Sequence, residues 1–245
     1  MASLTDAGEV AIFFAMNTLS IPGQETAEAM VYPESDGAPM GDNDTQREII
    51  VLLIENLKRL LAGEKAYVTG DLFWYPVKGR PEIVQAPDAM VVFGREMVRR
   101  RTYKQWEEED VVPQVVFEVR SHSNTDGEMK KKREFYETHG VEEYFMIDPE
   151  RETVEGWIRK GQRLAEISPV EGVIRSPRLK IAMGFRDGEP HITGPDGRVF
   201  TMPERWWKQA EHEAERAELE TQRAGEALSE VERLKALLRD KGIGF

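Results

Sequence analysis

Apolar residues recur at helical spacing in TQREIIVLLIENLKRLLAG, where Ile49, Leu52, Leu53, Leu57 and Leu60 fall on one face. That period predicts a first helix, begun at an Asn43 or Asp44 cap and stopped at Gly63. The pattern then shortens. YVTGDLFWYPV, APDAMVVFG and PQVVFEVRSHS are apolar runs bounded by Gly and Pro, and they read as three strands. From Thr125 to His139 the chain runs TDGEMKKKREFYETH, a polar helix whose Met129, Phe135 and Tyr136 can face a sheet, with Glu128 and Lys132 one turn apart. VEEYFMIDPE is strand-like again. Strand, helix, strand in that order predicts a right-handed crossover that lays the second helix on the sheet. ETVEGWIRK and RLAEIS follow as an added hairpin.

The tail obeys another period. Ala210, Ala214, Ala217, Thr221, Ala224, Leu228, Val231, Lys235 and Leu238 alternate at four and three residues over about four heptads. Such a stripe predicts a coiled-coil or partner-docking helix and, with it, a homodimer. Gly225 and the alanine-rich first half weaken it, so a single solvated helix is the competing reading.

Two positions break the pattern. Asp88 follows Pro87 at the head of AMVVF, and Glu118 interrupts VVFEV. A lone carboxylate among Val, Met and Phe costs several kcal/mol of desolvation unless a cation or donors offset it. Two such interruptions point to a metal site. The plainer alternatives are a strand-opening turn at Asp88 and an edge-strand or salt-bridged Glu118. Lys130, Lys131 and Lys132, taken alone, read as a solvated helix face.

PD at Pro87 and Asp88, FEV-x-S through Ser121, the helix with Lys132 and Tyr136, and GVEEYFMIDP from Gly140 to Pro149 together resemble the Uma-two family. That family belongs to the PD-(D/E)XK nuclease superfamily, and the resemblance spans roughly Tyr32 to Trp207. It implies an α/β restriction-endonuclease-like core, a mixed central sheet flanked by helices. It also implies Asp88, Glu118 and Lys132 as the catalytic set. Mg²⁺ or Mn²⁺ would sit on Asp88, Glu118 and the Val119 carbonyl, since hard cations take oxygen ligands. The superfamily lysine lies two residues after the glutamate, where this chain has Arg120. Arginine stays protonated and could bind phosphate but hardly act as a base, so the family's lysine maps onto Lys132 instead. Glu128 stands where the family's helix acid is expected, as a partner of Lys132 or an outer metal contact. Asp71 and Ser121 complete the expected surroundings. Gln46 or Glu48 could also lean toward the metal, with neither favoured.

Composition modifies this picture in few places. The chain has no cysteine, which excludes disulfides and thiolate metal sites. His122, His139, His191 and His212 lack ligand spacing, which argues against a zinc or histidine-based nuclease. His122, beside the expected site, reads as a solvent-exposed loop residue. A net charge of −12 looks wrong for a DNA-binding protein, but its distribution softens the objection. Residues 1–44 hold eight acids and no Lys or Arg, and 203–245 hold ten acids against eight bases, so only −2 falls on the core. Arg95, Arg99, Arg100, Arg101 and Lys104 cluster in REMVRRRTYK, and Lys130 to Arg133 form a second cluster. Of these, Arg99, Arg100, Arg101 and Lys130, with Arg120, are the expected nucleic-acid contacts, made to phosphates rather than bases.

Residues 1–29 read as an N-terminal extension, 30–202 as the restriction-endonuclease-like domain and 203–245 as the C-terminal helix. EVAIFFAMNTLS is too short to span a membrane, and Asp6 and Glu9 replace the basic start of a signal peptide. A cytoplasmic protein without a membrane partner is expected. The functional expectation is a metal-dependent endonuclease acting on nucleic acid, DNA first. A catalytically inactive interaction module is the main alternative, and a hydrolase of a small phosphorylated substrate is the third reading.

Overall fold

The computed structural model describes residues 30–35 and 44–240. The expected extension at 1–29 and the Asn43 cap lie outside them. The first helix, α1 (Asp44–Leu60), begins at the other candidate cap residue and buries Ile49, Leu52, Leu53 and Leu57. Each such side chain contributes roughly 1.5–3 kcal/mol when fully removed from water.

One expected strand proves to be two. YVTGDLFWYPV divides into β1 (Ala66–Thr69) and β2 (Trp74–Tyr75). Between them Gly70 closes on Asp88, and Asp71 takes φ +50° while its N–H donates to the Pro87 carbonyl at 2.9 Å. The apolar pattern runs through this corner because the residues on both sides of it are buried, so periodicity alone did not reveal the turn.

The Asp88 segment forms β3 (Ala89–Phe93). β4 (Tyr103–Lys104) pairs with β2 in a separate two-stranded parallel ribbon. The Glu118 segment is β5 (Val115–Val119), followed by α2 (Asp126–Thr138) and β6 (Glu143–Asp148). β5 and β6 are parallel neighbours joined through α2, the expected crossover. The hairpin is β7 (Thr153–Lys160) and β8 (Arg163–Glu166), and it extends the same sheet. The order is β1-β3-β5-β6-β7-β8, antiparallel except at β5–β6. A second, antiparallel sheet holds β9 (Ile174–Arg175), β10 (Ala182–Arg186) and β11 (Glu189–Thr193), for which the sequence reading placed no element. The chain ends in α3 (Pro203–Asp240), a helix of 38 residues. The α/β architecture, a mixed central sheet with helices and a long C-terminal helix, is the one expected. Among the described residues no helix is long and apolar enough to cross a membrane.

The sheet has two buried faces. Val115, Phe117, Val119, Phe145 and Ile147 pack with α1 and the second sheet, while Val116, Tyr144, Met146 and Trp157 pack with Met129 and Tyr136 of α2. Because side chains alternate along a strand, Glu118 must share the α2 face with Val116, and Asp88 the same face with Met90 and Val92. Ala89 pairs with Phe117 and Met90 with Val116. Continuing that antiparallel ladder by one residue sets Asp88 opposite Glu118.

Candidate active site

Cross-strand placement puts both carboxylates at one point under α2, and local bonds fix them there. The Val119 N–H donates to Asp88 Oδ2 at 2.6 Å. Glu118 has no exposed surface at all. Its Oε2 accepts from Lys132 Nζ at 2.6 Å, and its Oε1 accepts from the Tyr136 hydroxyl. Lys132 and Tyr136 are four apart on α2, so one helix face delivers both donors to one carboxylate. The Tyr136 ring is itself held parallel to Trp74, with centroids 6.3 Å apart.

The start of α2 is set by a reciprocal cap. The Glu128 N–H donates to Thr125 Oγ1 at 3.2 Å, and the Thr125 N–H donates to Glu128 Oε2 at 2.8 Å. Glu128 is thus committed to the helix end and reaches Lys132 only through its field. Ser121 shapes the preceding turn, with its N–H and Oγ both 3.0 Å from Asn124 Oδ1. Asp71 is exposed beside the Pro87–Asp88 peptide. On α1, Gln46 is buried and donates to the Val119 carbonyl at 2.9 Å, whereas Glu48 is exposed.

Electrostatics follow from this packing. Burial, then the charge of Glu118, holds the Asp88 carboxyl well above the ordinary aspartate range, and the two groups are close enough to share a hydrogen bond. Burial alone would depress Lys132. The charges of Glu118 and Asp88 more than offset it, and the ammonium stays protonated above its usual range. Two carboxylates therefore face one cation. The pair and the Val119 carbonyl are hard oxygen donors, which is chemistry that fits Mg²⁺ or Mn²⁺. No group of three or more His, Asp or Glu residues able to hold a metal occurs among the described residues.

The expected phosphate contacts separate into two kinds. Arg99 is exposed, Arg101 is exposed and paired with Glu34 at 2.5 Å, and Lys130 is exposed with Glu134 at 3.7 Å. Arg100 is spent on its own loop, paired with Glu108 at 2.6 Å and stacked 4.2 Å over Tyr67. Arg120 is clamped by Asp126 at 2.5 Å and Asp148 at 3.7 Å. His122 is exposed and pairs with Glu150 at 2.9 Å. Sequence reasoning gave Tyr136 no chemical role. Its only signal was the four-residue offset from Lys132, which also suits an ordinary sheet-facing aromatic.

A family model described as "Uma2: Putative restriction endonuclease" matches residues 35–186. Among solved structures the chain is similar to one from Anabaena variabilis ATCC 29413, described as "a putative nuclease belonging to DUF820". That likeness has 15% identity and a TM-score of 0.43, and it covers 58% of this chain and 76% of that one. No curated protein matches the chain.

Proposed function

The chain belongs to the Uma2 family, and on that premise we propose that it is a divalent-metal-dependent endonuclease hydrolysing phosphodiester bonds of nucleic acid, with DNA as its substrate. Family membership supports a nuclease-type hydrolytic activity. Metal dependence rests on the site, and DNA on the family's description as a restriction endonuclease. The observation that carries the reading is Glu118, wholly buried yet surrounded by Lys132, Tyr136 and Asp88 rather than by apolar groups.

In this reading Asp88, Glu118 and the Val119 carbonyl hold Mg²⁺ or Mn²⁺. When bound, the cation supplies charge neutralisation at the phosphate and a more acidic water. The remaining work falls to the chain. Lys132, kept protonated by the carboxylates, orients the attacking water and places positive charge where the phosphate gains negative charge. Tyr136 and the Val119 N–H fix the rotamers of Glu118 and Asp88, so little reorganisation accompanies reaction. Arg99, Arg101 and Lys130 meet the strand's phosphates. Homodimerisation is proposed to run through α3, where Leu219, Leu228, Val231 and Leu234 are exposed. Leu228 and Val231, which belong to the heptad stripe, equally favour the second reading, a non-catalytic interaction module.

Cleavage of plasmid and single-stranded DNA with Mg²⁺ or Mn²⁺ decides between them, comparing wild type with Asp88→Ala, Glu118→Ala and Lys132→Ala, each checked for folding by circular dichroism. Metal-dependent cutting lost in all three variants is expected, with Mg²⁺ raising the melting temperature of wild type but not of the two carboxylate variants. Cutting that survives all three, or none by wild type, moves the assignment to the interaction module.

A further inference from the structure

The stripe along α3 is uneven. Its first half is small, with Ala210, Ala214, Ala217 and Thr221, and its second half carries Leu228, Val231 and Lys235, with Ala224 between them. All but Lys235 are exposed, Leu228 at 68% and Val231 at 44%. The Thr221 hydroxyl donates to the Ala217 carbonyl at 2.8 Å, so it asks nothing of another chain. Written as heptads, Ala214, Thr221, Leu228 and Lys235 are a positions, and Ala210, Ala217, Ala224 and Val231 are d positions. Arg216, Arg223 and Arg233 lie off the stripe. Its flanking positions include Glu211, Glu213, Glu218, Glu220 and Glu232.

The two ways of pairing this helix with a copy of itself differ in what meets across the seam. In a parallel pair each position faces its own copy. Alanine would face alanine at one end and leucine face leucine at the other, although the spacing of two helices, about 8–10 Å, follows the side chains at the contact. Lys235 would meet Lys235 inside the seam, and Glu213 would meet Glu218 of the copy beside it. In an antiparallel pair each a position faces a d position. Leu228 then sits on Ala217 of the second copy, Val231 on Ala214 and Lys235 on Ala210, so large meets small along the whole overlap. Lys235, which pairs with Glu232 of its own helix at 2.9 Å, also comes beside Glu211 of the second copy. Its ammonium thus stands between the one flanking pair of acids that this arrangement brings together. The first end of the stripe opens onto a groove of about 700 Å³, which Ala210 and Glu213 share with Arg59, Val199 and Trp206. The domain therefore leaves space where the second helix arrives.

We propose that α3 docks on the α3 of a second copy of this chain in the antiparallel direction, with the two-fold axis beside Gln222 and Arg223. This rests on the homodimer reading and gives it a geometry. The two copies of Pro203 stand roughly 58 Å apart along the helix pair. The nuclease domains then occupy its opposite ends, whereas a parallel pair would set them side by side.

The chain has no cysteine, so introduced thiols report on this contact alone. Ala217→Cys and Leu228→Cys, both at exposed positions, are made in the full chain, checked by circular dichroism, and treated with a short bis-maleimide either singly or co-expressed. Light scattering of wild type is measured beside them. In the antiparallel pair Ala217 faces Leu228 of the second copy, while the two copies of Ala217 lie about 16 Å apart along the axis. Covalent dimer is therefore expected from the co-expressed variants and lost when either is treated alone. Crosslinking of either variant with itself overturns the antiparallel direction and leaves the homodimer standing. A dimeric wild type whose variants never crosslink places the dimer contact away from this stripe and overturns the proposal. A monomeric wild type removes the homodimer reading and the proposal with it.

Discussion

At the scale of single residues, the site is organised by what surrounds one glutamate. Glu118 without exposed surface would be a costly charge on its own, and Lys132 and Tyr136 each take one of its oxygens. Removing Lys132 deletes a charge and leaves a buried carboxylate pair facing no cation. Tyr136 permits a finer cut. Tyr136→Phe keeps the ring on Trp74 and Tyr144 and removes only the donor to Glu118. A hydrogen bond to a charged group is worth about 1.5 kcal/mol or more. Under the proposed mechanism kcat should therefore fall about tenfold with the fold intact, measured by single-turnover cleavage beside circular dichroism. Activity equal to wild type would mean that Lys132 and the cation fix Glu118 without the phenol. The two carboxylates were legible in sequence because each broke an apolar run. Tyr136 was not, because an aromatic at helical spacing reads equally well as core.

At the scale of elements, two backbone features aim these side chains. The Thr125–Glu128 cap fixes where α2 starts, and therefore which residues reach the sheet one and two turns later. Gly70, at the corner between β1 and β2, fixes the other side. A Cβ there would fall 2.1 Å from the Asp88 carbonyl oxygen and 2.5 Å from Ile54 Cδ1. The Ile54 tip can turn aside, but the carbonyl moves only with Asp88 itself. Gly70→Ala should destabilise the protein by about 1–3 kcal/mol, read from the urea midpoint, and should reduce cleavage beyond what lost stability explains. An unchanged midpoint would show that the corner relaxes without shifting β3. The sequence marked Gly70 and Asp71 as part of a continuous strand. Its apolar pattern carries burial but not direction, and the close approach that demands glycine comes from a strand some twenty residues away.

At the scale of the whole molecule, the sheet and α3 are separable in construction. The first turn of α3 is tied to the core, with Trp206 Nε1 donating to Thr201 Oγ1 at 2.8 Å and Arg59 5.2 Å over its ring. Asn56 of α1 holds the preceding Thr201 by its carbonyl at 2.9 Å. Beyond that point Leu219, Leu228, Val231 and Leu234 are exposed. A chain ending at Lys208 should keep the far-ultraviolet signature of the sheet and be monomeric by light scattering, whereas the full chain is expected to be dimeric. A monomeric full chain would remove the dimer from the functional reading. The sequence by itself determined the first helix, the strands that carry Asp88 and Glu118, the crossover between β5 and β6, the β7–β8 hairpin, the two anomalous carboxylates and the heptad stripe, since all of these are written in local spacing and in the cost of burying charge. Only the tertiary structure decided that Asp88 stands across from Glu118, that Tyr136 reaches Glu118 and Gln46 the Val119 carbonyl, that Arg100 serves its own loop, and that the second sheet forms. Register between strands and the contact of a helix with a sheet depend on residues far apart in the chain, and no local pattern encodes them.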